Sequence, residues 1–440
     1  MNEIIEYIIK FLLGDDVSDD IVQKIGYTDK EEEFGRYKLV IYPSGFFKSE
    51  IYGNIHSIPS LPLKIWDDAP LLYGEPKLEQ VGNTRILHAD IIASTYFLIS
   101  RYEEMVRRGC RDVHGRFYGK ESLSYKAGFI DRPLVEEYGK LLRQQLRELG
   151  IEIPEPEKKI KKIFLTHDVD QLAHYRRFRG MMGAVTRGIK SQKKRAEARR
   201  AIKTFFKGIR FDPWYTFPWL FKIDQSLIEA LGEERCKTVV FIKAGGGHKK
   251  EDKPNSNLAH PDYKNFIRYC KRKNIIVGLH ASYEAGRHPN LIAEEKKKLE
   301  HVAKTKITYN RHHFLRSREP EDMEALIQAG LTDDFTLAYA DMAGFRLGTC
   351  RPVQWINPAT QQLRPLILHP FTIMDSTLSD KRYMNMNAFD AYEYCVQLIN
   401  NVENYGGEFV ILWHNTMVEK KSPSYHRKLY KNILEFLKTK

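Results

Sequence analysis

The sequence predicts an α/β protein in two parts: a smaller α+β unit over residues 1–155, and a parallel sheet or β/α barrel over 156–440. Three observations lead there. The chain has 440 residues, more than the about 250–300 that one hydrophobic core usually organises. Ile151-Glu152-Ile153-Pro154-Glu155-Pro156-Glu157 is charged and punctuated by proline, as linkers are. Beyond it, short apolar runs alternate with helical stretches, the pattern of parallel strands joined by helices.

In the first part, Ile4, Ile5, Ile8, Ile9, Leu12 and Leu13 share one face of an opening amphipathic helix. Lys38–Tyr42 reads as a strand ended by Pro43-Ser44-Gly45. Asp90 to Arg107 reads as a helix with Asp90 as its N-cap, and Val135 to Leu149 as another, stopped by Gly150. Asp112 to Phe117 gathers polar groups that local hydrogen bonds of a turn would account for. No catalytic arrangement is visible in this part.

In the second part the strand candidates are Lys162–Thr166, Thr238–Lys243, Ile275–Leu279, Thr305–Asn310, Leu337–Ala340, Leu366–Leu368 and Glu408–Trp413. Chemistry in such folds collects at the carboxyl ends of the strands, so the polar residues just past them carry the information. A basic helical insertion lies at about 180–215. Between Arg187 and Arg210 it holds ten lysines and arginines against Glu197 alone, with Ile202, Phe205, Phe206 and Ile209 on one face. This amphipathic stretch either packs on its own barrel or meets an anionic partner.

The bulk numbers narrow the classes. Hydrophobic residues at 42% and aromatics at 12% provide a real core and argue against global disorder. A net charge of +13 favours acidic partners, but no zinc-finger or RRM-type pattern points to nucleic acid. Five widely spaced cysteines without a C-x-x-C predict free thiols. The N-terminus lacks the basic start of a secretion signal, and no apolar run of membrane-spanning length occurs, so a cytoplasmic protein is expected.

Four strand ends are polar. Thr166-His167-Asp168-Val169-Asp170 ends the first strand. Two carboxylates one residue apart suit a divalent metal plus a base, or a pair of turn or N-cap aspartates. His280 follows Val277-Gly278-Leu279. Arg311, His312 and His313 follow the next strand. His414 follows Val410-Ile411-Leu412-Trp413. Together they describe a site with a metal, a base and an acid.

The order and character of these segments resemble the polysaccharide deacetylase superfamily (NodB homology, carbohydrate esterase family 4). Asp168-Val169-Asp170 looks like the D-V-D form of its first motif. His280 fits the first histidine of its H-[ST]-x-x-H motif, but Glu284 stands where the second should be. The chain looks closer to a bacterial subgroup with T-H-D-V-D, G-L-H-x-S-Y and R-x-H-[FY]-L motifs behind an uncharacterised N-terminal domain. The likeness extends to Ser100–Glu104 and Asp112–Phe117 in the first part.

The resemblance implies a deformed (β/α)7-type, NodB-like barrel and a carbohydrate N-deacetylase. It implies Asp168 as general base oriented by Arg311, His414 as general acid, and Asp170, His280 and His313 as ligands of a divalent metal, zinc in the first place. Glu284 is the alternative third ligand, and His312 and His288 are bystanders. Tyr283, Arg346 and Asp375 are expected on the substrate side, Arg346 alternatively in a structural ion pair. Asp375 could also pair with His414 and raise its pKa. The expected substrate is an amino-sugar glycan or a carrier-linked sugar, with Arg187–Arg210 as a contact for an anionic membrane surface and no nucleic acid. A non-catalytic glycan- or nucleic-acid-binding protein that kept the barrel is the competing reading.

Overall fold

The computed structural model describes every residue except 1, 15, 16, 248 and 319. Helix α1 (Glu3–Leu13) starts where the Asn2 side chain accepts from the Ile4 N–H, and ends at Gly14, whose φ of 111° no L-residue adopts easily. Its isoleucines are buried, as their helical spacing requires. Strands β1 (Ile25–Tyr27), β2 (Leu39–Ile41), β3 (Gly74–Val81) and β4 (Thr84–Ala89) form a sheet in the order β1-β2-β4-β3, antiparallel only between β3 and β4.

Asp90 caps α2 (Ile91–Ile99) by accepting from the Ala93 N–H at 2.9 Å. The helix expected to continue to Arg107 breaks instead. Arg101 takes a left-handed backbone (φ 60°), and a short helix restarts over Tyr102–Val106. A buried bond from Arg101 to Glu104, 2.6 Å, holds this strained point. Helix α3 (Leu134–Glu148) then runs close to its expected bounds.

The second sheet carries the candidate site. Its strands are β5 (Lys162–Val169), β6 (Cys236–Lys243), β7 (Ile276–Ala281), β8 (Tyr309–His312), β9 (Asp333–Asp334), β10 (Val353–Asn357), β11 (Gln362–Leu368), β12 (Ile373–Met374) and β13 (Glu408–Leu412). The order is β10-β11-β9-β8-β7-β6-β5-β13-β12, parallel throughout except β10 against β11. The outer strands β10 and β12 do not pair with each other, so among the described residues no ladder closes a full barrel. Residues 369–372 draw the two ends together. His369 N–H donates to Asp334 O and Phe371 N–H to Leu337 O on one side, and Thr372 N–H to Val410 O on the other.

Two strand expectations need correction. Leu337–Ala340 is buried but irregular, because its carbonyls serve Phe371 N–H, Arg346 Nη1 and Thr377 Oγ1 rather than a neighbouring strand. The strand expected over 305–310 runs instead over Tyr309–His312, which puts Arg311 inside it. The insertion is also not one helix. It is a hairpin of α4 (Phe178–Lys190) and α5 (Arg195–Lys207) between β5 and β6.

The two sheets are separate, yet one apolar cluster takes in α1, α2 and α3 together with the outer face of the large sheet, while Phe164, Phe241, Phe335 and Phe371 form a second cluster on the face that holds Arg311. Polar bonds also join the two parts of the chain: Arg351 Nε meets Glu136 Oε1 at 3.0 Å, and the buried Gly119 N–H meets Asp341 at 2.8 Å. All five cysteines are unpaired. No helix among the described residues is long and apolar enough to cross a membrane.

Candidate active site

Side chains alternate along a strand, and in β5 this divides the Thr166–Asp170 segment into two sets. His167 faces away from the site. Its Nε2 lies 3.0 Å from Asp224 Oδ2 and its Nδ1 2.8 Å from Trp413 O, and it is fully buried. Tyr430 donates to the other oxygen of Asp224, which completes a structural network. Thr166 and Asp168 face the opposite way, toward Arg311.

The parallel register sets Arg311 beside His280 and so aligns the ends of β7 and β8. Arg311 is wholly buried between the rings of Phe241 and Phe371, its guanidinium carbon 4.6 and 4.7 Å from their centroids. Its Nη1 donates to Thr166 Oγ1 at 2.7 Å and to Asp168 Oδ1 at 3.1 Å. The second oxygen of Asp168 makes no such bond and lies 3.7 Å from His280 Nε2. One oxygen is clamped and the other is available at the pocket.

Asp170, just past β5, meets two histidines. His280 Nε2 and His313 Nε2 stand 3.2 and 3.3 Å from its Oδ1. One potential ligand atom from each of the three residues lies within 4.8 Å of the others. Each imidazole is fixed from behind: His280 Nδ1 on Arg311 O at 2.8 Å, and His313 Nδ1 on Asp252 Oδ1 at 2.9 Å. Both Nε2 atoms therefore aim at one point, the arrangement that metal-ligating histidines have. Burial opposes ionisation of Asp170, but His313 and His280 outweigh it and hold the carboxyl well below the usual range. The donor set of one carboxylate and two imidazoles fits a divalent ion.

His414 closes the other side. Its Nδ1 is 2.8 Å from Asp375 Oδ1, its own N–H donates to Asp375 Oδ2, and its Nε2 lies 4.0 Å from Asp170 Oδ2. Burial would lower its pKa, but Asp375, Asp170 and Asp168 raise it to about 10. Asp168, Asp170, His280, His313 and His414 all line one cavity of about 190 Å³.

Three expected substrate contacts lie elsewhere. Arg346 is buried in a two-pronged pair with Glu104, at 2.8 and 2.7 Å, and fastens the irregular 337–340 stretch through Ala338 O. Among its alternatives, the structural ion pair is what the geometry matches. Asp375 is fully buried and bonded to His414. Tyr283 stands behind the pocket wall, packed edge-on against Phe314 and under the Arg316 guanidinium. Glu284 is outside the ligand cluster; its N–H bonds to Asp252 instead. His312 is buried beside Asn310 and pushed down to about 4, chiefly by burial.

Sequence reasoning missed two parts of this site. Asp252 receives His313 and the N–H groups of Tyr283 and Glu284 at once, yet it comes from a charged loop with no strand end to mark it. Arg116 comes from the Asp112–Phe117 turn. Asp112 does hold that turn by accepting from the His114 and Arg116 N–H groups, as a local turn should. The Arg116 side chain nevertheless reaches the pocket and donates to Tyr383 Oη at 3.1 Å.

Comparison with known proteins gives three findings. A family of unknown function, DUF7033, matches residues 1–151. No curated protein matches the chain. Among solved structures, one described as a candidate polysaccharide deacetylase from Mycobacterium smegmatis is similar at 13% identity and a TM-score of 0.41, over 65% of this chain and 86% of its own. Another, described as a candidate polysaccharide deacetylase involved in O-antigen biosynthesis from Bordetella bronchiseptica, is similar at 14% identity and a TM-score of 0.29, over 64% and 81%. Likenesses this distant leave the chemistry to be argued from the residues.

Proposed function

We propose that this chain is a metal-dependent hydrolase that removes an N-acyl group, N-acetyl in the first place, from an amino sugar. The observation that carries the proposal is one pocket holding three separately supported groups. These are the Asp170, His280 and His313 cluster, an arginine-clamped Asp168, and an aspartate-backed His414. The sequence resemblance to polysaccharide deacetylases supports the same reading.

A divalent ion held by Asp170, His280 and His313, zinc being the first expectation, would supply Lewis acidity to activate water and polarise the acyl oxygen. Asp168 takes the proton of the attacking water through its free oxygen, while Arg311 keeps the other oxygen, and so the carboxylate plane, in place. His414 gives Nδ1–H to Asp375 and presents Nε2–H to the pocket. Its raised pKa keeps it protonated at neutral pH, as an acid for the departing amine must be.

The finer reading is a carrier-linked glycan precursor of surface polysaccharide, deacetylated in the cytoplasm, with Arg187–Arg210 against an anionic membrane surface. The basic composition of that segment supports it. The test is acetate release from free, nucleotide-linked and lipid-linked N-acetyl amino sugars with added divalent metal. Asp168→Asn is expected to abolish release while keeping the metal. Unchanged release, or a variant that loses its metal, overturns the assignment of Asp168.

A further inference from the structure

We infer that the α4–α5 hairpin is a membrane-docking element whose exposed apolar stripe enters the interface of an anionic lipid surface. The inference rests on the proposed function for the substrate it would serve, and on the hairpin's own surface for the contact.

Helix α4 has two apolar faces. Met181, Ala184 and Gly188 are buried against α5, so closely that a Cβ on Gly188 would fall 2.6 Å from that of Ala198. Phe178, Met182 and Ile189 fall on the adjacent outer face and are 63, 42 and 79% exposed. They follow helical spacing over twelve residues, eleven steps that make a stripe ~16 Å long at 1.5 Å rise per residue. Helix α5 repeats the arrangement. Ala201 and Thr204 are buried, while Ile202 and Phe206 are 42 and 74% exposed. Phe178, Phe205 and Phe206 form a chain of rings, with centroids 6.3 and 5.1 Å apart, that joins the stripes of the two helices. Among the described residues fourteen large apolar side chains are exposed, and five of them lie on this hairpin, joined through the ring contacts, so it is a patch and not scatter.

Only part of the charge around the stripe is neutralised within the chain. Glu197 is taken by Arg187 and Lys194, and Arg200 pairs with Glu419. Lys190, Lys193, Arg195, Arg199 and Lys207 make no ion pair among the described residues. An anionic bilayer answers both features, cations at the headgroups and apolar side chains below them. A nucleic-acid backbone would use only the cations. A second copy would bring two positive surfaces together.

The loop that leaves Asp170 runs into α4, and Gln171, Arg176 and Ile209 line a cavity of about 270 Å³ at the hairpin base. The hairpin thus follows the Asp170 strand end after a short loop, residues 170–177.

The test is co-sedimentation of the full chain with phosphatidylcholine vesicles, with and without phosphatidylglycerol, at low and high salt. Binding is expected only with phosphatidylglycerol and is weakened by salt. Ile189→Asp with Phe206→Asp, which keeps every cation, is expected to weaken it by about tenfold or more. Lys193→Glu with Arg199→Glu is expected to do the same. No binding to the anionic vesicles, or binding that the apolar double variant leaves intact, overturns the inference. So does a dimer that this variant dissolves, or an affinity for DNA above that for vesicles. Acetate release from a soluble N-acetyl amino sugar is read on the same preparations, and the docking variants are expected to retain it. Release without vesicle binding removes the docking element and leaves the hydrolase. Vesicle binding without release does the reverse.

Discussion

His369 and His414 each lie just past a strand of the large sheet, and both sit between carboxylates. Burial pulls each imidazole toward neutrality, and the carboxylates more than reverse it, raising them to about 9 and about 10. They differ in what is left over. His369 gives Nδ1 to Glu408 at 2.7 Å and Nε2 to Asp333 at 3.0 Å, and its ring stacks on Phe335. Both nitrogens are used, and the histidine ties the amino ends of β9 and β13 across the gap that residues 369–372 span. His414 spends only Nδ1, on Asp375, and its Nε2 opens onto the cavity.

The same distinction separates two buried arginines. Arg346 closes on both oxygens of Glu104. Arg311 bonds one oxygen of Asp168 and leaves the other at the pocket. A shifted pKa or a buried ion pair therefore does not identify a functional group by itself. What sets Asp168 and His414 apart is an unspent atom facing a cavity.

Removing each histidine in turn is the strongest way to break this comparison. His414→Gln is expected to lower turnover by ~10²–10⁴-fold, the usual worth of a positioned acid, and to cost stability as well, because it leaves the buried Asp375 without its partner. Equal activity in the variant would make His414 a second His369.

His369→Gln is expected to leave turnover alone and to cost stability, read by urea unfolding. Folding raises the pKa of His369 from 6.5 to about 9, so the native state binds the proton more tightly. That stabilisation is complete below pH 6.5 and is lost as pH rises through about 9. It amounts to ~3 kcal/mol at most. The wild type is expected to lose stability across this window and the variant to show a flatter profile.

Asp252 sharpens the comparison from the ligand side, because it spends Nδ1 of His313 and so frees Nε2. Asp252→Asn is expected to weaken metal binding by ~10–100-fold, measured by competition with a chelator, while the fold persists. Unchanged affinity would mean that His313 needs no support.

Much of the site was legible because its residues end strands. Asp168, His280, Arg311 and His414 were each expected at or just past the end of a short apolar run, although the strand that carries Arg311 runs later than expected. His167 sits among the same residues, but alternation turns it outward to Asp224. What stayed hidden depends on contacts between distant loops. Asp252 is one aspartate in a charged stretch until His313 comes to it, and Arg116 is a turn residue until Tyr383 does. The strand expected at 337–340 failed for a related reason. Its apolar pattern is real, but the backbone bonds go to Phe371, Arg346 and Thr377, which no local pattern reveals. The hairpin's basic face was readable as one helix. Its fold into two helices, and the exposure of Phe178, Met182 and Ile189 on the first of them, were not.

Metal content tests the central claim most directly. Purified protein supplied with zinc and then dialysed is expected to retain about one ion per chain. Glu284→Gln is expected to retain it equally, and His313→Gln to lose it. Retention by His313→Gln together with loss in Glu284→Gln would contradict the ligand set of Asp170, His280 and His313, and a wild type that binds no ion would contradict the metal centre itself.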